Sequence, residues 1–238
     1  MKHNSQNQQA YNSLKTGTKL LSVLLDPDKC LPVHLPEVFA QLPEATTHIF
    51  VGGSTVDKGK THELVSAIRG QTQLPVWIFP GDADQITPDA DALLFLSLVS
   101  GDNPEYLIGQ QAKAARKLRN MHLPVIGTAY VLIDGGHDSA VARVTGTAPM
   151  SLEDPELILD RVLAAQFMGA QCVYLEAGSG GAAQPIPASL ISMIKKYIHC
   201  PLIVGGGLRT SAQMKSAWDA GADMLVVGTA LEEVLSLR

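Results

Sequence analysis

The chain contains eight short segments that are almost continuously apolar, and longer amphipathic segments follow most of them. Continuous apolar character, rather than strict alternation, is typical of β-strands that are covered on both faces, as in parallel sheets. Eight is the number of such strands that closes a (β/α)8 TIM barrel, so the pattern predicts this α/β fold. The predicted strands are residues 20–25, 48–53, 76–80, 92–99, 124–133, 172–177, 201–206 and 224–229. The predicted helices are residues 35–42, 61–70, 103–119, 154–169, 187–198 and 210–221.

Length and composition fit one barrel domain over residues 1–238, in which residues 1–17 form a polar N-terminal extension. Single-domain barrels run to about 250 residues. The formal net charge of -5 argues against sequence-independent nucleic-acid binding, which needs clustered Lys and Arg. No apolar run approaches the roughly 20 residues of a membrane span, and the N-terminus lacks the apolar stretch of a signal peptide. We therefore expect a cytoplasmic protein.

The interval between the third and fourth predicted strands is too short for a helix. Residues 81–91, GDADQITPDAD, are rich in Asp, Gly and Pro and have no helical periodicity. A parallel crossover through a helix needs roughly a dozen residues or more. We predict that the third outer helix is missing and that the flank of these two strands is open. The alternative is that one of the two strands is wrongly assigned.

The interval after the fifth strand is unusually long. Residues 134–153 form an insertion rich in Gly, Ser and Thr on the side of the barrel where catalysis is expected. Such segments are typical of a mobile lid.

In a TIM barrel the functional groups lie at the carboxyl ends of the strands, and four ends of this chain carry distinctive residues. The first strand is followed by LLDPDK, with Asp26, Asp28 and Lys29. A carboxylate there can bind Mg²⁺ together with substrate phosphates, or the motif is only an Asp-Pro turn. The second strand is followed by VGGST, in which the Ser54 and Thr55 hydroxyls could bind metal or phosphate.

The last three strands supply the other candidates. Glu176 ends the sixth strand in YLEAGSGG, before a loop of small residues whose N–H groups could hold an anion. Its carboxylate is a candidate general base, or else the structural partner of a Lys or Arg. VGGGLRTSAQ after the seventh strand and VVGTALEE after the eighth are suited to the phosphate site that these two loops often form. Together they predict a ligand that carries a phosphate group.

These motifs, in this order, resemble the geranylgeranylglyceryl phosphate synthase family, including its bacterial heptaprenylglyceryl relatives. The matching stretches are LLDPDK, VGGST, TAY, YLEAGSGG, VGGGLRT and AGADMLVVGTALEE, which cover nearly the whole predicted barrel. The resemblance implies a prenyltransferase that joins the C3 hydroxyl of sn-glycerol 1-phosphate to C1 of a polyprenyl diphosphate, in the first place geranylgeranyl diphosphate, and releases pyrophosphate. It also implies a Mg²⁺ cofactor and a barrel without its third outer helix. Barrels of this kind often associate, so we expect a homo-oligomer.

The resemblance also implies roles for individual residues. Asp26 and Ser54 would bind the Mg²⁺ that holds the diphosphate. Glu176 would orient and deprotonate the attacking hydroxyl, and Tyr130, in the TAY match, would face the reacting end of the prenyl chain. The glycerol phosphate would lie among Tyr174, Leu175, Glu176, Ala177, Gly178, Ser179 and Gly180, with its phosphate at Gly206, Gly207, Gly228 and Thr229.

The position of Leu24 and the flank without a helix bear on how the substrates' phosphate groups and prenyl tail would bind. Some family members carry a Lys at the position of Leu24, so a phosphate contact made by that Lys is absent here or comes from another residue such as Lys29. The missing helix would expose an apolar channel for the prenyl tail. Trp77, Phe79 and Phe95 are candidates to line it, unless they belong to the ordinary barrel core.

Two other classes of function remain open from the sequence. One is another phosphate-binding TIM-barrel enzyme, such as a sugar-phosphate isomerase or a flavin-dependent oxidoreductase, because the loops after the last two strands serve those enzymes equally well. The other is a non-catalytic barrel that binds a prenyl or phosphate ligand. LLDPDK and YLEAGSGG have no obvious task in either.

Overall fold

All eight predicted strands form, and they close into a parallel barrel in which each strand pairs with its neighbour along the chain. The computed structural model describes residues 2–178 and 182–228. The ring is closed by the first and the last strand, where Leu20 is the register partner of Met224. The strands are β1 Leu20–Leu25, β2 His48–Val51, β3 Val76–Ile78, β4 Ala92–Leu98, β5 Val125–Leu132, β6 Cys172–Glu176, β7 Leu202–Gly205 and β8 Met224–Val227.

Two of the outer helices begin at side-chain caps that the sequence supplies. The Asp154 carboxylate accepts a hydrogen bond from Leu157 N–H at 3.0 Å, with Pro155 in the first turn, and Thr210 and Gln213 form a reciprocal capping box. In the described part of the chain, no helix is long and apolar enough to cross a membrane. The helices are α1 Lys2–Ser13, α2 Leu35–Ala40, α3 Lys60–Arg69, α4 Gln110–Leu118, α5 Ala140–Thr145, α6 Pro155–Phe167, α7 Ala188–Tyr197 and α8 Ser211–Asp219.

The prediction that the third outer helix is missing is confirmed. β3 and β4 pair in parallel, so neither strand was wrongly assigned, and only a 3-10 turn, Ala83–Gln85, lies between them. This turn bonds to α4, because Ala83 N–H donates to Gln110 Oε1 at 3.0 Å and Lys117 Nζ donates to Ala83 O at 2.8 Å. The flank is not open as predicted, because this short turn covers it and leaves only an internal lobe of space beneath.

The polar N-terminal extension is helical and packs across the amino-terminal mouth of the barrel. Asn7 Oδ1 accepts a hydrogen bond from Val125 N–H at 3.0 Å, at the start of β5. Leu14 follows the helix, is 2% exposed and joins the apolar cluster inside the barrel. The helix thus closes the end of the barrel opposite to the candidate site.

Alternate residues of each strand point into the barrel and out towards the helices. On β2, Phe50 belongs to the cluster inside the barrel, whereas Ile49 and Val51 pack against the helices. This two-residue period decides which side chains of a strand can reach the carboxyl end of the barrel interior.

The long insertion after β5 carries a helix of its own. Ser139 caps α5 by accepting a hydrogen bond from Ala142 N–H at 3.1 Å, and Ile133 forms an isolated parallel bridge with Met150 where the segment returns. Asn103 Nδ2 donates to Thr145 O at 2.7 Å and fastens the end of α5 to the segment that follows β4. The insertion therefore crosses the carboxyl-terminal mouth of the barrel.

Candidate active site

A cavity of about 400 Å³ lies at the carboxyl ends of the strands and extends towards α4 and α5. Its walls come from loops that are far apart in the sequence, because all parallel strands end at the same rim. The structure brings most of the predicted site residues into this one cavity. These residues are Asp26, Ser54, Phe79, Phe95, Tyr130, Tyr174, Glu176, Gly178, Gly206 and Gly228.

Glu176 is the last residue of β6 and is only 3% exposed. Its Oε1 accepts a hydrogen bond from Gly178 N–H at 2.9 Å, and the Tyr174 hydroxyl also bonds to the carboxyl group. Burial raises the pKa of Glu176 to about 7, against the opposing effect of these two bonds. Among the described residues no Lys or Arg forms an ion pair with it, which disfavours the structural alternative. A carboxyl group that titrates near neutral pH is suited to accept a proton.

Three aromatic rings stand beside this carboxyl group. Phe79 and Tyr174 stack with their ring centroids 4.9 Å apart. Tyr130 meets both rings edge-on, at 5.6 Å from Phe79 and 5.4 Å from Tyr174. Burial, with the nearby charge of Glu176, raises the pKa of both tyrosine hydroxyls, so they stay protonated and can donate hydrogen bonds.

Asp26 and Ser54 follow adjacent strands, in which Leu25 and Val51 are register partners. Asp26 Oδ1 accepts a hydrogen bond from Asp28 N–H at 3.0 Å, and Oδ2 lies 3.4 Å from Lys29 Nζ. Within residues 2–178 and 182–228, no three His, Cys, Asp or Glu side chains come together as a metal-binding group. A single carboxylate with a hydroxyl fits Mg²⁺ that takes its other ligands from substrate phosphates and water, and does not fit an all-protein metal site.

A clasp of three charged side chains, Asp28, Asp57 and Lys60, joins the loops that carry these two residues. Lys60 Nζ is 2.8 Å from both Asp28 Oδ1 and Asp57 Oδ2, and Asp57 N–H donates to Asp28 Oδ1 at 3.3 Å. The bond from Lys60 lowers the pKa of Asp28, so the clasp stays ionised. It holds the loop after β1 to the loop after β2.

The first glycine of VGGST is required by close packing of the backbone. A Cβ on Gly52 would lie 1.8 Å from the carbonyl oxygen of Phe79 at the end of β3. This close approach seats the Phe79 ring beside Tyr174, so Gly52 serves the packing of the site.

We expect Gly52→Ala to destabilise the protein by about 1–3 kcal/mol, because the methyl group forces the Phe79 backbone to move. The matched control is Gly70→Ala, where the new Cβ would lie at an ordinary 3.5 Å from Ala67 O. Urea unfolding of both variants checks the difference. Equal stabilities would show that the strands yield to the methyl group without strain.

The predicted phosphate-binding glycines differ in position. Gly206 lines the cavity with φ at +81°, and a Cβ there would lie 2.6 Å from Glu176 Oε1. Gly228, which follows the neighbouring strand β8, also lines the cavity, next to Leu24. Gly207 packs instead against the backbone of Gln184, where a Cβ would lie 2.8 Å from the carbonyl oxygen. The predicted contacts of Ser179, Gly180 and Thr229 lie outside the described residues.

Leu175 and Ala177 can contact a ligand in this cavity only through their backbone. Both side chains are at most 1% exposed and pack in the apolar cluster between the barrel and the outer helices. By position in the chain they belong to the loop predicted to bind glycerol phosphate, and their side chains serve its packing.

The lobe beneath the Ala83–Gln85 turn is apolar. Phe95 points outward from β4 into it, and Ile86 and Ala114 close it from the neighbouring turn and from α4. Tyr106 stands where this lobe meets α5, with its hydroxyl donating to Val144 O at 3.3 Å. Sequence reasoning predicted Phe95 here but missed Ile86, Tyr106 and Ala114, whose only signal was their place beside the interval that lacks a helix.

Trp77 does not line the cavity. Its ring is 2% exposed inside the barrel, stacked on Phe50 at 5.8 Å and edge-on to His48 at 5.0 Å. Trp77 and Phe79 point to the same side of β3, but Trp77 lies two residues deeper. The alternative interpretation, ordinary barrel core, therefore describes Trp77, and the channel prediction for it is wrong.

A family model, curated relatives and a solved structure all relate this chain to the same group of proteins. A model of the PcrB family matches residues 16–236. The curated geranylgeranylglyceryl phosphate synthase of Zunongwangia profunda is 50% identical over 92% of this chain and 93% of its own, and that of Flavobacterium johnsoniae is 46% identical over 94% and 93%. The crystal structure of (S)-3-O-geranylgeranylglyceryl phosphate synthase from Thermoplasma acidophilum, in complex with its substrate sn-glycerol-1-phosphate, is 36% identical, with a TM-score of 0.84 over 95% of this chain and 91% of that one.

Proposed function

The chain belongs to the PcrB family, and from this premise we propose that it is a prenyltransferase that joins the C3 hydroxyl of sn-glycerol 1-phosphate to C1 of a polyprenyl diphosphate. Its product is an ether-linked prenylglyceryl phosphate, and pyrophosphate is released. Geranylgeranyl diphosphate is the first substrate to test, because the named relatives are geranylgeranylglyceryl phosphate synthases. The observation that carries the proposal is the buried Glu176 carboxyl group, whose pKa of about 7 suits a base at neutral pH.

The reaction needs a base because the glycerol hydroxyl is a weak nucleophile. The hydroxyl oxygen attacks C1 of the prenyl chain, its proton passes to Glu176, and the bond from C1 to the diphosphate oxygen breaks with its electron pair on pyrophosphate. Positive charge builds on C1 as that bond breaks, and the face of the Tyr130 ring is suited to stabilise it. The Gly178 N–H and the Tyr174 hydroxyl hold the carboxylate in place for the proton transfer.

Mg²⁺ is part of the proposal. Asp26 and Ser54 would hold the ion at the rim of β1 and β2, where it would neutralise charge on the diphosphate. The clasp of Asp28, Asp57 and Lys60 supports this assignment, because it bonds the loop that follows β1 to the loop that follows β2. Lys29, 3.4 Å from the Asp26 carboxylate, stands at the same rim.

The prenyl tail would lie in the lobe between Phe79, Phe95 and α4. An apolar lobe that opens from the reacting end of the cavity suits a long hydrocarbon chain, which gains free energy by leaving water. That the protein is cytoplasmic and that it forms a homo-oligomer both remain predictions.

The proposal predicts Mg²⁺-dependent formation of a prenylglyceryl phosphate from labelled sn-glycerol 1-phosphate and geranylgeranyl diphosphate. Prenyl diphosphates of graded length, assayed in parallel, give the preferred chain. Thin-layer chromatography of the lipid extract detects the product, and an active synthase from a relative serves as positive control. No product at any chain length would contradict the proposal. A yellow protein or Mg²⁺-independent isomerisation of a sugar phosphate would favour the alternative enzymes.

A further inference from the structure

The cavity contains few cations for the charge that its proposed substrates carry. Its described charged residues are Asp26, Asp82, Glu176, Lys29 and Arg143. A phosphate and a diphosphate together bring several negative charges, and three carboxylates already face the same space. Lys29 lies 3.4 Å from the Asp26 carboxylate. Arg143 is therefore the described cation of the cavity that is not paired with a carboxylate lining it.

Arg143 is held over the cavity by α5. The residues Ala140, Val141, Val144 and Thr145 of this helix also line the cavity, so the helix presents a whole side to it. Its end is tied down by the Tyr106 hydroxyl, which donates to Val144 O at 3.3 Å, and by Asn103. These bonds fix the backbone from which the Arg143 side chain reaches.

The partner of Arg143 is one that a phosphate can displace. Arg143 Nη1 donates to Asp138 Oδ2 at 2.9 Å and to Asp138 O at 2.8 Å. The Arg143 side chain is 58% exposed and that of Asp138 is 70% exposed. Exposed ion pairs contribute little to stability, whereas guanidinium binds phosphate oxygens in a bidentate and charge-assisted manner.

We propose that Arg143 binds the diphosphate of the prenyl substrate, exchanging the Asp138 carboxylate for diphosphate oxygens. It would neutralise the charge that develops on pyrophosphate as the bond to C1 breaks, from the side opposite to the metal ligands. This inference rests on the proposed function for the identity of the ligand.

The test compares Arg143→Gln, Arg143→Lys and Asp138→Asn with the intact protein. Calorimetry with Mg²⁺ measures the Kd of inorganic pyrophosphate, and kinetics measure KM for each substrate. We expect Arg143→Gln to raise the Kd of pyrophosphate and the KM of the prenyl diphosphate about tenfold or more. Arg143→Lys should give intermediate values of both constants, since lysine keeps the positive charge but cannot bind two phosphate oxygens in the bidentate manner of a guanidinium group. Asp138→Asn should bind pyrophosphate at least as tightly as the intact protein.

The matched control is Arg161→Gln. Arg161 forms a similar exposed pair with Asp102, at 2.8 Å, and neither residue lines the cavity. Arg161→Gln should leave the Kd of pyrophosphate and the KM of the prenyl diphosphate unchanged. Melting curves check that all variants fold. Equal effects of Arg143→Gln and Arg161→Gln, or an increase confined to the KM of glycerol 1-phosphate, would overturn the inference. If the intact protein turned over no prenyl substrate but bound pyrophosphate through Arg143, the proposed function would fail and the anion site would stand.

Discussion

Replacing Glu176 with glutamine is expected to lower kcat by about 10²–10⁴-fold, which is the usual contribution of a positioned general base. Glutamine keeps the shape of the side chain and can still accept the hydrogen bond from Gly178 N–H, but it cannot take the proton of the glycerol hydroxyl. Single-turnover measurement of ether formation separates this loss from product release. Glu156→Gln, an exposed substitution on α6, is the control and should leave the rate unchanged. A Glu176→Gln enzyme with nearly intact kcat would exclude Glu176 as the base.

The pH dependence of kcat/KM is a second test of Glu176 as the general base. The base acts when deprotonated, and the pKa of Glu176 is about 7. The value of kcat/KM in the intact enzyme should therefore fall about tenfold for each pH unit below 7 and level off above it. The residual activity of Glu176→Gln should lack this limb. A profile with its inflection near pH 4.5 would mean that the carboxyl group behaves as an ordinary exposed one.

The raised pKa of Glu176 also predicts that the ionised Glu176 carboxylate destabilises the folded protein. The pKa is about 7 in the folded protein against 4.5 as the ordinary value, so the unfolded chain ionises first as pH rises. Folding stability should fall between these two pH values and stay lower above pH 7, by about 3 kcal/mol at most. Glu176→Gln should therefore exceed the intact protein in stability at pH 8 but hardly at pH 4.5. Urea unfolding in the absence of Mg²⁺ at both pH values measures this difference.

Asp26→Asn is expected to lower kcat/KM by about 10³-fold, because a metal ion supplies several kcal/mol of charge stabilisation at the leaving group. The amide keeps one oxygen but loses the charge that would attract Mg²⁺. Binding of Mn²⁺ in the presence of pyrophosphate, followed by electron paramagnetic resonance, should weaken in parallel. Asp160→Asn on the exposed face of α6 is the control. Unchanged Mn²⁺ affinity in Asp26→Asn would remove Asp26 from the proposed metal site.

The sequence predicted the barrel well because its strands are buried on both faces. β1 has the predicted bounds, Leu20–Leu25, and the other strands are shorter than predicted by one or more residues at their ends. The absent helix was predictable because residues 81–91 are too few for a crossover helix, which is a matter of length and not of propensity. Glu176 and Asp26 were found for a related reason, since both follow directly on apolar runs whose ends must meet at one rim.

What the sequence did not reveal depends on contacts between distant segments. The N-terminal helix is nearly all polar, and its fold follows from the bond between Asn7 and β5 and from the burial of Leu14. Trp77 was predicted to line the channel because the alternation of side chains along a strand shows which side a residue faces. It does not show how deep in the barrel that residue lies. Arg143 carried no signal at all, because the sequence predicted no helix there, and a lone Arg reaches the site only through the three-dimensional path of α5.

The pairing of β1 with β8 has a consequence for how the chain is made. While the ribosome is still adding residues, β1 can pair with β2 on one edge, but its other edge has no partner until β8 has emerged. The hydrogen bond between the N-terminal helix and β5 likewise forms only after the middle of the chain has been made. An apolar strand with an open edge is a template for pairing with other chains. Nascent chains that stall before β8 should therefore aggregate or bind chaperones, whereas the completed ring offers no such edge.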